Sequence, residues 1–356
     1  MSLIRSYLII TVPLLACLSA TASAENKLYT TEMLANMAEN IANHAWARQI
    51  RASAVAKAAR YLEVPDEELA KWVPDPRIPR AVYVHESGCP NCGLAMRKYG
   101  NYAWIISEDL PYKVECPSCG SVYPSNDYQA FIDSGFQDRS LLIGDYPDDG
   151  WGWTSPEYGE ARKYWFVAWY NHWMARRRLL PAIQYLRDAY LYTSDARYAH
   201  KCAVLLWQLA EYYPRYDYVN QSRNGTEINP GYQGRLLNHT WETGTMTICA
   251  TAYGAIAPAF TKPDPELEQL SGRSTDQVRD LIEEQLLRSM AYEVVNETRY
   301  IAGNYGMHQR GLLQVAATLR DKPGTPSSEE MLDWILNNEE YNIYTMMPLH
   351  DALANL

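Results

Sequence analysis

The stretch AYLYTSDARYAHKCAVLLWQLAEYYP, residues 189–214, decides the fold class. It opens in the last turns of one helical segment, breaks at Thr193-Ser194, and resumes behind Asp195. A short acidic side chain in front of a helical apolar pattern is an N-cap signal, and Pro214 is a stop. The spacing predicts a helix over 196–213, joined by a tight turn to another over 180–192. The same construction recurs outward from here. Residues 215–237 read as a polar, Asn/Gly-rich loop, and an apolar helix follows over 241–260. Thr275, with Asp276 behind it, opens an amphipathic helix reaching about residue 295. Further helices are predicted over 305–319, after Ser327 or Ser328, and over 341–356.

The result is a mainly α chain of helical hairpins, joined alternately by short turns and long polar loops. Such hairpins suit an α/α toroid whose long loops shape a cleft; a helical bundle or solenoid is the competing architecture. The hairpins are too few to close a toroid, so residues 129–356 are read as an incomplete one, and the chain as a fragment of a longer protein.

The N-terminal third is built differently. Residues 1–24 have the pattern of a signal peptide: Arg5, an apolar run over 7–18 too short to span a bilayer comfortably, and Ala22-Ser23-Ala24 as cleavage site. Leu14-Leu15-Ala16-Cys17 loosely resembles a lipobox, so anchoring through Cys17 is the lesser alternative to a periplasmic or secreted product. No later apolar run is long enough to cross a membrane. Residues 25–84 form an N-terminal unit. It comprises an Ala-rich helix over 31–62, capped by Thr30 or Thr31, and an extended linker over 63–82 carrying Pro65, Pro74, Pro76 and Pro79. A cysteine module follows over 85–128, with short strands expected at 102–106 and 112–114. Residues 129–158 read as irregular, with 145–153 as a cleft-lining loop, and an aromatic helix over 158–178 begins the helical series.

Gly88-Cys89-Pro90-Asn91-Cys92-Gly93 and Glu115-Cys116-Pro117-Ser118-Cys119-Gly120 are two CxxC knuckles. Each aims two thiolates at one point, and the Gly after the second Cys lets the backbone turn without Cβ strain. Four thiolates suit tetrahedral Zn²⁺ in a closed, structural site. Two short disulfides are the alternative in an exported protein. Cys202 and Cys249 fall inside helical patterns as small buried apolar residues.

The formal charge is −10, which argues against a nucleic-acid or anionic-membrane binder. Arg176-Arg177-Arg178 is the sole basic run and reads as a solvated helix face. The chain has 28 Tyr and 11 Trp against 4 Phe, a choice of rings with polar handles that suits sugar-stacking clefts as well as cores.

Two stretches gather polar and aromatic residues just before predicted helices. One holds Asn238, His239, Thr240, Trp241 and Glu242; the other runs from Gly303 through Asn304, Tyr305 and His308 to Arg310. Free N–H groups at a helix start favour an anion. Together they suit β-elimination at a uronate. The C5 proton becomes acidic only when the neighbouring carboxylate is neutralised and the enolate-like intermediate is stabilised. Asn304 fits the neutralising clamp, His308 the base, and Tyr305 an acid toward the leaving O4. The bland readings are Asn304 as N-cap, His308 as a packed histidine, Glu242 as a helix-start acid and Trp241 as core. A glycoside hydrolase pairing Glu242 with Asp145, Asp148 or Asp149 is a further alternative.

GCPNCG, ECPSCGSVYPSND, the 189–214 stretch, TWE and GNYGMHQ together resemble the heparinase II/III-like family of exported bacterial polysaccharide lyases, over about residues 80–311. The resemblance implies an α/α toroid followed by β-sandwich domains. It implies β-elimination at an acidic polysaccharide or oligosaccharide, and an Asn or His between Asn304 and His308 that neutralises the uronate. His239, Trp241, Glu242 and Arg310 enter as candidate substrate-binding residues. The family's catalytic Tyr segment has no match in 312–356, so the chain alone is expected to have little or no lyase activity. A non-catalytic glycan-binding module is the alternative.

Overall fold

The computed structural model describes residues 27–80, 88–100, 103–217, 236–237, 241–296 and 306–338. The described chain is mainly helical. The long N-terminal helix is two: α1 (Thr31–Asn43), capped by Thr30 Oγ1 accepting from Met33 N at 3.2 Å, and α2 (Ala45–Leu62). They meet at His44, whose extended backbone (φ −121°, ψ 132°) ends one helix and starts the next. The proline segment holds a short helix, α3 (Asp66–Ala70), started by Pro65 and by three acids in its first turn, where the helix dipole favours them.

In the cysteine lobe, β1 (Val114–Glu115) pairs antiparallel with β2 (Val122–Tyr123). Of the strand expected at 102–106, the described residues keep a single bridge, Ile105 to Glu115. Residues 129–158 are more ordered than expected. They carry most of α4 (Tyr128–Asp133), capped by Asp127, a 3₁₀ turn at Arg139–Leu141, and β3 (Trp153–Ser155). The aromatic helix begins later than its composition suggests. β4 (Gly159–Tyr164) pairs back on β3 with Tyr164 opposite Trp153, and α5 (Phe166–Trp173) starts only beyond it. Gly159, at φ +55°, supplies the turn between the strands.

From α5 the helix continues through a π-helical turn, Met174–Leu179, into α6 (Leu180–Thr193). Pro181 explains the widened turn: it has no N–H for the carbonyl four residues back, and the longer π register absorbs the gap. α7 (Ala196–Tyr212) follows, with Asp195 accepting from Arg197 N at 3.0 Å. Next come α8 (Glu242–Ile256), α9 (Pro265–Ser271) and α10 (Thr275–Leu281). A second π turn (Ile282–Arg288) leads to α11 (Ser289–Asn296), then α12 (Met307–Thr318) and α13 (Ser328–Asn337). Ser274 with Gln277 and Ser327 with Glu330 form full capping boxes. The helix expected over 341–356 lies outside the described residues.

Side-chain pairs fix the helix directions. Arg176 lies over the Trp241 ring and Arg187 Nη1 donates to Thr251 Oγ1 at 2.8 Å, so α6 and α8 run parallel. Met246 faces Gly311 and Thr318 faces Gly254, so α8 and α12 also run parallel. α7 returns antiparallel after its tight turn. α2 is antiparallel to α6 as well, with Lys57 over the Tyr185 ring and Arg60 beside Arg178. One apolar core joins α2, α3, α6, α7, α8, α12 and α13. Cys202 and Cys249 are both fully buried in it, as expected. A second core ties the cysteine lobe to α5: Met96, Trp104, Val114 and Tyr123 pack with Phe166, Trp169 and Tyr170. Burying rings of this size stabilises by about 1.5–3 kcal/mol each, so the lobe is seated on the helical body.

Candidate functional site

The two knuckles converge. All four sulfurs of Cys89, Cys92, Cys116 and Cys119 lie within 4.8 Å of one another. The short pairs run between knuckles, Cys89–Cys119 at 3.7 Å and Cys92–Cys116 at 3.6 Å. A tetrahedral thiolate site with metal–sulfur bonds of about 2.3 Å sets its sulfurs about 3.8 Å apart. A disulfide needs about 2.05 Å, and all four cysteines are free. The donor set and its spacing fit a metal ion.

The backbone explains the convergence. Cys89 and Gly93 exchange two hydrogen bonds, at 3.0 and 2.8 Å, and Gly120 N donates to Cys116 O at 2.9 Å. Gly93 and Gly120 both sit at positive φ, +61° and +71°. Gly88, at φ +88°, leaves no room for a Cβ against the Gly93 carbonyl. Around the sulfurs, Tyr123 OH is 3.2 Å from Cys89 Sγ, and Asn91 Nδ2 donates to Ser121 Oγ, which faces Cys119 Sγ at 3.3 Å. Burial opposes ionisation of Cys119, but the Ser121 hydroxyl and backbone N–H and the Asn91 amide bring its thiol down to about 6. Cys92 is pushed up to about 12, first by burial and then by the neighbouring thiols. Four thiolates cannot coexist there without a cation between them.

The second site lies at the common end of the parallel helices. Glu242 stands four residues before Met246, and Met307 four before Gly311; those two positions face each other. Trp241–Glu242 and Met307–Gln309 therefore meet at one end of α8 and α12, with Arg176 reaching Trp241 from the π turn at 4.7 Å. Glu242 is buried. Its Oε1 accepts from Tyr213 OH and Leu236 N, and its Oε2 from Leu237 N, each at 2.9 Å. Beside it Arg80, fully buried, stacks 3.6 Å over the Tyr216 ring. Burial draws Arg80 down to about 10, against the pull of Tyr216 and Glu242, so it stays cationic at neutral pH. His172, buried on α5, is drawn down to about 4 by burial and then by the Arg176 charge, and is neutral.

The candidate residues divide. Trp241, Glu242, His308 and Arg310 are at this end; Trp241 is half-buried and Arg310 exposed. His308 is 1% exposed and presents almost no surface. His239, Asn304 and Tyr305 lie outside the described residues. The α12 cap is Gly306 at φ +83°, so that position does not fall on Asn304. The basic run is not a solvated face. Arg178 lies 3.7 Å over the Trp72 ring and pairs with Glu108 at 3.2 Å, Arg176 stacks on Trp241, and only Arg177 is exposed. Nor does the 145–153 loop offer a free carboxylate at Asp148. Its Oδ1 accepts from Gly150 N and Gly152 N at 2.7 and 2.9 Å, and its Oδ2 from Val167 N at 3.2 Å. With both oxygens of Glu242 and of Asp148 engaged internally, that pair is committed to structure rather than to acid/base work. Arg80, His172, Tyr213 and Tyr216 carry no local motif; only the tertiary packing brings them here. Comparisons with family models, curated proteins and solved structures find no match to this chain.

Proposed function

We propose that this chain is the helical portion of an exported heparinase II/III-like polysaccharide lyase, acting on a uronate-containing acidic polysaccharide, with structural Zn²⁺ held by Cys89, Cys92, Cys116 and Cys119. The observation that carries the reading is the meeting of Trp241 and Glu242 with Met307 and His308 beside Arg176, at the shared end of three parallel helices. Parallel α6, α8 and α12, with α7 returning between them, also support the α/α toroid that this reading requires.

In this reading Trp241 offers a stacking ring to a sugar, and Arg176 and Arg310 attract the uronate carboxylate. Asn304 neutralises that carboxylate, which lowers the barrier to removing the C5 proton. His308 takes the proton, the electron pair forms the enolate, and the C4–O4 bond breaks. Tyr305 then protonates the departing oxygen, leaving an unsaturated uronate. Cys89, Cys92, Cys116 and Cys119 would hold the ion with protein ligands alone, which suits a structural role rather than a part in the elimination.

The burial of His308 favours a second reading, a glycan-binding module without turnover. One experiment separates the two. The protein extended through its downstream reading frame is incubated with alginate, heparin and heparan sulfate while the ultraviolet absorbance of the unsaturated product is followed and binding is measured in parallel. Product formation that falls in His308→Ala supports the lyase. Saturable binding with no product supports the module. Neither, from a folded protein, overturns both.

A further inference from the structure

We propose that His200 is a proton-operated clasp that fastens the N-terminal arm to the helical body, closed when its imidazole is charged and loosened when it is neutral. The clasp is at the far end of the helices from Trp241 and Met307, near the α6–α7 turn, and does not depend on the lyase reading.

The geometry sets the charge. His200 Nδ1 is 2.7 Å from Asp264 Oδ2, and its Nε2 is 3.0 Å from Asp66 Oδ2. An ionised carboxylate only accepts hydrogen bonds, so both ring nitrogens must donate, and only the imidazolium carries two N–H groups. A neutral ring would turn a lone pair toward one carboxylate. The His200 side chain is 12% exposed, so water does little to screen that conflict.

The two carboxylates come from different parts of the chain. Asp66 opens α3 in the N-terminal arm, and Asp264 caps α9. The other charged groups facing the ring are Glu266 Oε2, 3.7 Å from Nε2, and Lys201 on α7 itself. Lys201 Nζ reaches Asp66 Oδ1 at 2.6 Å and Val64 O at 2.7 Å. His200, Asp264 and Glu266 line a surface cavity that Glu63, Arg197 and Lys262 also border. At the ring itself the carboxylates of Asp66, Asp264 and Glu266 face two cations, His200 and Lys201, while the imidazole is charged, and Lys201 alone when it is not. Asp264 is held in place by donating its N–H to Thr275 Oγ1 at 2.8 Å.

Burial draws His200 downward, but the hydrogen bonds and charges of Asp264 and Asp66 outweigh it and raise the imidazole above its ordinary range. The sign follows from linkage. The clasp contributes fully below about pH 6.5, the unfolded value, and is lost as pH rises through the higher folded value. Across that window the arm's opening equilibrium should grow about tenfold per pH unit.

The test follows the imidazole titration by NMR in the full chain, with hydrogen exchange of the α3 amides corrected for intrinsic base catalysis. We expect a midpoint above about 6.5, lowered by Asp264→Asn, and α3 exchange that accelerates through the same window relative to α12. His200→Gln should abolish that pH dependence. A midpoint at or below that of free histidine, or an unchanged pH dependence in His200→Gln, overturns the clasp. The titration of the unsubstituted protein decides the matter even where a variant fails to fold.

Discussion

Replacing Glu242 with Ala should destabilise the fold far more than it alters any chemistry. The carboxylate accepts three hydrogen bonds, from Tyr213 OH, Leu236 N and Leu237 N, all at 2.9 Å. Tyr213, Leu236 and Leu237 are 1%, 0% and 3% exposed, so water cannot simply replace the acceptor. A hydrogen bond to a charged group contributes about 1.5–3 kcal/mol, giving an upper range of about 4.5–9 kcal/mol for three. Relief from keeping a carboxylate out of water, and partial hydration of the space left, offset part of this. Loss of one member of a buried charged set typically costs about 3–5 kcal/mol, and that is the expected loss. Glu242→Gln keeps the shape but turns one acceptor into a donor facing an N–H or O–H, and should cost about 1–3 kcal/mol. Equilibrium unfolding in urea, read by tryptophan fluorescence, measures both through the midpoint at unchanged slope. If Glu242→Ala unfolds within about 1 kcal/mol of the parent, the anchoring role is wrong. If it stays stable but loses turnover on a glycan, Glu242 is a reacting group and the two-carboxylate hydrolase returns.

Other outcomes follow from the same contacts. The purified chain should carry one Zn²⁺, measured by elemental analysis; Cys116→Ser should lose it, and a chelator should lower the thermal midpoint of the parent but not of the variant. Asp148→Ala strands the N–H groups of Gly150, Gly152 and Val167 and should cost about 2–4 kcal/mol by urea unfolding. The approach of α8 to α12 is tested at Gly254, where a Cβ would strike Thr318 Cγ2. Gly254→Val should destabilise by about 1–3 kcal/mol, whereas Gly244→Ala, with nothing within 4 Å, should be neutral or stabilising by up to about 1 kcal/mol.

Local chemistry made much of this molecule legible. Asp195, Ser327 and the knuckle glycines act as their residue types dictate, because capping and positive φ are settled within a few residues. The Cys₄ cluster was legible for the same reason: each CxxC turn is self-contained, and only the joining of two turns is tertiary. The helix break at His44 and the strand at 159–164 were not legible. Ala-rich and aromatic runs are compatible with either state, and the pairing of Tyr164 with Trp153 decides the second case. The π turns leave a trace in sequence only through Pro181. At the shared end of α8 and α12, sequence supplied Trp241, Glu242, His308 and Arg310 but assigned Glu242 no fixed task, since its partners Tyr213, Leu236 and Leu237 lie elsewhere in the chain. Arg176 read as solvated because a charge run carries no sign of the Trp241 ring it meets in space.

The central claim is recognition of a uronate carboxylate at the shared end of α8 and α12. Its most direct test is calorimetric titration of the metal-loaded chain with a uronate oligosaccharide and with the same oligosaccharide after carboxyl reduction. Saturable binding of the acidic form, lost on reduction and weakened in Arg176→Ala, is the predicted result. Equal affinity for both forms, or binding to neither by a folded protein, would contradict the claim.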